Sequence, residues 1–518
     1  MSQGVAALRT AMAEGRTTSQ RVAEACIERI ERWDRKGPCL GAILEINPDC
    51  VEIAEQLDRE RAAGQVRGPL HGIPVVLKAN IDTCDRMSTT AGSLALEGSV
   101  PPRDAFLVSK LRDAGAVLLG KANLSEWANF RGLRSLSGWS SHGEQTRNPY
   151  DARRSPCGSS SGSAVSVAAG FAPLAVGTET DGSIVCPAQT CGVVGIKPTL
   201  GAISRSGIVP IAHSQDTAGP MGRTVADAAM LLCAMIGEDP EDPATGGARD
   251  HPIDLDDALS PRRLEGIRIG VVRTYFGAHP KIDRLIESRL AVLRDLGATL
   301  VDPVAIPTDG GWSAMEMEVL LYEFKHDLNA YLATLGPDAP VKNLEEVIAF
   351  NEAHADRVMP YFGQELMERA QAKGTLDEPE YLNALAACRR LTRDEGLDAV
   401  IQEENLDALV APTGGPAWLI DPTLGDLWVG GRFSSAPAVA GYPHITVPAG
   451  LIEGLPVGMS FVGPAWSEAA LIRFAHTFEQ ANVGFLRLSS LSSRHSSSSD
   501  FSSASHPPYT VCEAVQVP

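Results

Sequence analysis

Three short segments carry side chains that could do chemistry together. Cys157-Gly-Ser-Ser-Ser-Gly-Ser163 and Gly177-Thr-Glu-Thr-Asp-Gly-Ser-Ile184 are small-residue loops that offer Ser159 and Ser183 as hydroxyl nucleophiles. Upstream, Gly68-Pro-Leu-His-Gly-Ile-Pro-Val-Val-Leu-Lys78 places a lysine at the end of an apolar strand. A buried lysine can activate a serine without histidine. Desolvation pulls a lysine pKa down from ~10.4 by several units, which leaves a neutral amine able to accept a proton. Taken together, Lys78, Ser159 and Ser183 read as a Ser-Ser-Lys acyl-transfer site.

Each piece has a plainer reading. Lys78 at a strand end can reach solvent with its ammonium group. Ser159 precedes an Ala/Val-rich helix, where a serine commonly caps backbone N–H groups. Capping does not readily explain three serines in succession with glycine on both sides. Ser183 follows Gly182, whose missing Cβ leaves room for a substrate carbonyl. Turn geometry there can aim successive N–H groups at one point, as an oxyanion hole requires. Each such donor is typically worth about 3 kcal/mol of barrier.

The elements that must position these residues alternate. Strands are expected at Ala42–Ile46, Ile73–Leu77, Ala116–Leu119, Leu174–Val176, Ile267–Val272, Ala408–Ala411, Ile445–Val447 and Val457–Val462. Helices are expected near Asp49–Ala62, Ala105–Ala114, Ser161–Ala169 and Glu468–Gln480. An N-terminal helix carries Val22, Cys26, Ile27, Ile30 and Trp33 on one face, with Thr17 and Gln20 resembling a capping box. This alternation predicts an α/β layered sheet buried on both faces. From about residue 312 to about 404 strand signals vanish and helical periodicity takes over. Glu238–Asp257 reads as an exposed connection. The serine-dominated stretch Leu488–Ser505 has too few core residues to fold and is expected to be disordered.

Composition excludes some functions. A formal net charge of −19 over 518 residues opposes general nucleic-acid binding, which needs a basic face. No run is long and apolar enough to span a bilayer, and no secretory signal is visible at the start. The ten cysteines form no CxxC pair, which favours buried reduced thiols in a cytoplasmic protein over a disulfide framework. Cys186 and Cys191 are close enough to suggest a metal, but nothing completes a site.

Over about residues 5–482 the chain is similar to the amidase signature family. The resemblance rests on the lysine motif ending at Lys78 and on the glycine/serine signature from Gly158 to Ile184. It implies an α/β/α sandwich with a large mixed sheet over residues 1–485, followed by the tail 486–518. It further implies that Ser183 is the acylated nucleophile, that Lys78 is the base, and that Ser159 bridges them after a cis peptide bond. The backbone at Thr180, Asp181, Gly182 and Ser183 would form the oxyanion hole, and no metal or organic cofactor would be required. Cys157 stands where glycine is usual, Ser161 replaces a frequent glycine, and Val185 replaces an arginine. These departures, with Asn123-Leu-Ser-Glu-Trp-Ala-Asn129, resemble the peptide amidase branch. The expected substrate is therefore a small-molecule or peptide amide, C-terminal peptide amides first and acylamides second.

Other candidates carry less. His71 and His213 lie in polar loops away from any nucleophile elbow, so a Ser-His-Asp site is not expected. Asp216 reads as a brace for the active-site loop or as ordinary turn chemistry. Trp127, Asn129 and Trp139 could line a pocket, with core packing the better reading of the tryptophans. The alternatives within the fold are a glutaminase subunit of a tRNA-dependent amidotransferase and a non-catalytic member. Ser214-Gln-Asp-Thr-Ala-Gly-Pro220 differs from the Ser-Leu-Asp-Gln-Ile-Gly-Pro associated with such subunits. Monomer and homodimer are both compatible with the sequence.

Overall fold

The computed structural model describes residues 4–260, 262–430 and 433–492. Its centre is an eleven-stranded mixed sheet. From one edge the strands are Ile43–Ile46, Val117–Ala122, Pro74–Lys78, Leu174–Glu179, Thr217–Gly222 and Val194–Lys197; then come His444–Ile452, Leu455–Val462, Ala408–Pro412, Arg268–Val272 and Thr299–Val304. Parallel pairing holds Val117–Ala122, Pro74–Lys78 and Leu174–Glu179 together, and the middle of the sheet is antiparallel. The predicted α/β class and mixed sheet are therefore observed.

Strand alternation decides which way Lys78 points. Successive side chains leave opposite faces of a strand. Val75 and Leu77 enter one large core with Ile73, Val176, Ile196 and Phe461. Val76 enters the other, beside Ala164, Val165 and Val167 of the helix Ser161–Ala169. Lys78, two residues on from Val76, is thus directed toward the loop that starts this helix. A helix N-terminus with small residues can approach the sheet closely. Gly162 allows it here, because a Cβ at that position would lie 2.3 Å from the carbonyl oxygen of Ala42.

Between 313 and 403 the chain forms a helical region, with Ser313–Thr334, Leu344–Ala353, Glu365–Gln371 and Pro379–Arg389 as its longer α-helices. It packs on Trp127, Phe130, Val209 and Ile211 at one end and meets Phe433, Ala436 and Tyr442 at the other. Three strands of this sheet escaped the sequence reading, Val194–Lys197, Thr217–Gly222 and Thr299–Val304, as did the separate short pair Trp139–Ser140 and Glu144–Gln145. Thr217–Gly222 contains two glycines and a proline, so it has no strand-like composition. The cap of the helix Ser19–Arg29 is shifted by one residue from the expected position. Thr18, not Thr17, accepts from the Arg21 amide. Glu238–Asp257 is less exposed than expected, since Asp239, Asp242 and Thr245 are buried and Asp242 pairs with Arg205. The last helix runs from Glu468 to Ser492, past Gln480, and the serine-rich stretch from 493 onward lies outside the described residues. No described helix is long and apolar enough to cross a membrane.

Candidate active site

Lys78 is wholly buried and reaches three oxygens. Its Nζ lies 2.8 Å from Ser159 Oγ, 2.8 Å from Thr178 Oγ1 and 3.1 Å from the Thr178 carbonyl. Burial lowers its pKa to about 7, although the carboxylates of Asp216 and Glu179 work in the opposite direction. The neutral amine is then accessible near neutral pH. A neutral amine has two N–H groups and one lone pair. Three oxygen neighbours suit that count if both N–H groups donate to Thr178 and the lone pair receives the Ser159 proton.

Ser159 follows a cis Gly158–Ser159 bond and is 1% exposed. Its carbonyl accepts from the Ser125 amide, which fixes the loop from the opposite side. The Ser160 amide donates to the Ser183 carbonyl at 3.1 Å, so the two serine loops are joined through the backbone. Among the described residues, no hydrogen bond closes the remaining gap from Ser159 Oγ to Ser183 Oγ.

Ser183 is 8% exposed and opens the turn before the short helix Val185–Thr190. Glu179 Oε2 accepts from the Ile184 and Val185 amides at 2.7 and 3.0 Å, which caps that turn. Gly182 has φ +78°, a left-handed conformation that glycine adopts without strain. Among the described residues, the amides of Gly182 and Ser183 donate to no protein acceptor. Asp181 accepts from Ser434 Oγ at 2.6 Å, and Thr180 Oγ1 donates to Asp216 Oδ1 at 2.5 Å.

Asp216 fills both roles its sequence context allows, bracing Thr180 with one oxygen and closing its own turn with the other. Its other oxygen accepts from the Ile211 and Ala212 amides. His71 Nε2 sits 2.9 Å from the Leu57 carbonyl, and His213 pairs with Asp327 on the surface. Neither approaches the serines through a hydrogen bond. Trp127 and Trp139 belong to the core, while Asn129 is half-buried.

The cysteine reading needs correction. Cys157 and Cys186 form a disulfide, with Cα atoms 6.1 Å apart. Cys157 lies two residues before Ser159 and Cys186 three after Ser183, so the bond ties both serine loops together. Trp418 packs against it. Separate in sequence, the two thiols meet because both loops are drawn to one site. Cys186 is therefore unavailable to a metal with Cys191, and the expectation of reduced thiols fails for this one pair. Cys26, Cys50, Cys191 and Cys388 remain buried free thiols, as expected.

Thr178, Asn80 and Glu179 were not singled out from sequence. Asn80 Nδ2 donates to Thr178 Oγ1 at 3.0 Å, which steadies the lysine's partner. Asn80 stands two residues after Lys78, and Glu179 four before Ser183; those offsets were the available signal. A cavity of about 540 Å³ abuts this side, with Asn80, Thr178 and Thr180 in its wall. Lys78, Ser159 and Ser183 do not line it.

The mixed sheet and the buried lysine–serine pair define a hydrolase-like site, and comparison with known proteins agrees. The family model described as "Amidase" matches residues 21–472. A native peptide amidase from Stenotrophomonas maltophilia superposes with TM-score 0.87 at 51% identity, covering 93% of this chain and 97% of that one. A probable amidase of Arabidopsis thaliana is 42% identical over 92% of this chain and 89% of its own length. A glutamyl-tRNA(Gln) amidotransferase subunit of Exiguobacterium sibiricum is 35% identical over 93% of this chain and 98% of its own length. The chain belongs to the amidase signature family, and it is an amidohydrolase acting on amides.

Proposed function

We propose that this enzyme hydrolyses carboxamide C–N bonds through an acyl-enzyme on Ser183, with C-terminal peptide amides as its substrates. The observation that carries the reading is the contact of buried Lys78 Nζ with Ser159 Oγ at 2.8 Å. Neutral Lys78 takes the Ser159 proton while Ser159 takes the proton of Ser183. Ser183 Oγ attacks the amide carbon, and the amides of Gly182 and Ser183 receive the oxyanion, with those of Thr180 and Asp181 completing the hole. Collapse breaks the C–N bond, and the proton held by Lys78 returns along the same path to the departing nitrogen. Water then attacks the ester carbon, giving up its proton along the same route, and the carboxylic acid leaves.

Peptide amides are preferred over other amides because the structural relative at 51% identity is a peptide amidase. Purified protein should release ammonia from peptide amides, and Ser183→Ala should reduce the rate by roughly 1,000-fold or more, since the nucleophile itself is lost. No ammonia from any peptide amide or acylamide would sink the reading.

The 35% identity to amidotransferase subunits supports a second reading, a glutaminase that works with partner subunits. It expects glutamine hydrolysis only in a complex. Co-purification of such a partner, with no hydrolysis of peptide amides, would select it.

A further inference from the structure

Among the described residues, five of the twelve exposed large apolar side chains lie within eleven positions: Leu419, Leu424, Leu427, Trp428 and Val429, each at least 36% exposed. Soluble proteins rarely concentrate apolar surface in this way without a binding role. The loop that carries them is anchored on the candidate site at two points. Trp418 packs on the Cys157–Cys186 disulfide, and its ring centroid lies 4.5 Å from that of Trp428. Ser434 Oγ donates to Asp181, next to Gly182. Asp426 holds the loop's shape by accepting from Ser137 and from Trp418 Nε1.

We infer that this loop is an apolar rim that receives the side chains preceding the scissile amide, and so selects peptide amides with large apolar residues there. The inference rests on the amidase reading and narrows it. Continuity with the disulfide and Asp181 makes the substrate's own chain the natural occupant. A net charge of −19 disfavours an anionic lipid surface. Asp421 and Asp426 on the same loop should disfavour acidic side chains.

The test compares acetyl-Leu-Leu-Ala-amide, acetyl-Ser-Ser-Ala-amide and acetyl-Asp-Asp-Ala-amide in the full chain. We expect kcat/KM for the leucine peptide to exceed that for the serine peptide by about tenfold or more, mainly through KM, because buried apolar side chains are worth that much. The aspartate peptide should be poorer still. Trp428→Ala and, separately, Leu427→Ser should bring the leucine-to-serine ratio below about threefold, as expected when the apolar contact area is removed; the ratio is read, so a general loss of activity does not mimic the result. Calorimetric binding of the same peptides to Ser183→Ala reads the rim without catalysis. Equal values for leucine and serine peptides would overturn the inference, as would a ratio unchanged in both variants. A concentration-dependent dimer abolished by Trp428→Ala, with the ratio intact, would assign the patch to a second copy and also overturn it. Absence of all hydrolysis with a preserved leucine preference in binding would instead sink the amidase mechanism and leave the rim standing.

Discussion

Lys78 and Thr178 meet twice, through the threonine hydroxyl at 2.8 Å and its carbonyl at 3.1 Å. This double contact leaves the third direction of the amine for Ser159. Thr178 is in turn held by Asn80 and by the Ser160 hydroxyl, which accepts from its amide. The lysine's orientation is thus set by the neighbouring strand rather than by the serine it is proposed to activate.

Removing the Thr178 hydroxyl should therefore misdirect the proposed base. Thr178→Val keeps the volume and the carbonyl contact but loses one of two N–H acceptors. We expect kcat to fall roughly 10- to 100-fold with KM little changed, part of the ~100- to 10,000-fold that general-base catalysis contributes. Steady-state kinetics on one peptide amide would check it; a change confined to KM would contradict the proposed role.

The pH profile should report Lys78. Its neutral form is the proposed base, and its pKa is about 7. Activity should rise with pH through about 7 and level off above about 8. Stability follows the same group with a definite sign. Between about 7 and ~10.4 the unfolded chain binds this proton and the folded one does not, so stability rises with pH. The stability of wild type relative to Lys78→Met should therefore improve as pH rises from about 7 to about 10. Urea titrations at several pH values measure this, and a difference flat with pH would rule out a buried, depressed lysine.

The disulfide closes a loop of about 30 residues around the site, and such a bond contributes roughly 2–4 kcal/mol. Cys157→Ser/Cys186→Ser, or reduction of the wild type, should lower stability by that order and reduce kcat, because both serine loops lose their tie. Urea unfolding and peptide amide turnover with and without dithiothreitol test it. Full activity in the reduced protein would show that the backbone bonds between the loops suffice.

Glu179 tests the capping of the turn at Ser183. Glu179→Ala leaves the Ile184 and Val185 amides buried without an acceptor, at about 1–3 kcal/mol each. Glu179→Gln keeps one oxygen and should recover most of the lost stability and turnover. Equal damage from both substitutions would point to the charge, which also faces buried Lys197.

Much of the scaffold is readable from the chain. Helix Ser161–Ala169 matches its expected bounds to the residue, because its alanines favour helix and Gly170, at φ +73°, ends it. The strand before Lys78 and the strands near 268–272, 408–412 and 455–462 are also visible as apolar runs. Thr217–Gly222 is not, since its glycines and proline carry no strand signal and only pairing with its neighbours, Leu174–Glu179 above all, holds it extended. Cys157 and Cys186 read as ordinary thiols for a related reason: local composition cannot report a contact made by two distant loops.

By itself the sequence determined the candidate residues Lys78, Ser159 and Ser183 and most of the alternating elements that carry them, because both are written in local pattern. Tertiary structure alone decided that the lysine is dry, that Thr178 shares it, and that a disulfide joins the two serine loops. Desolvation and side-chain approach depend on what the rest of the chain brings to that point, and no local pattern encodes them.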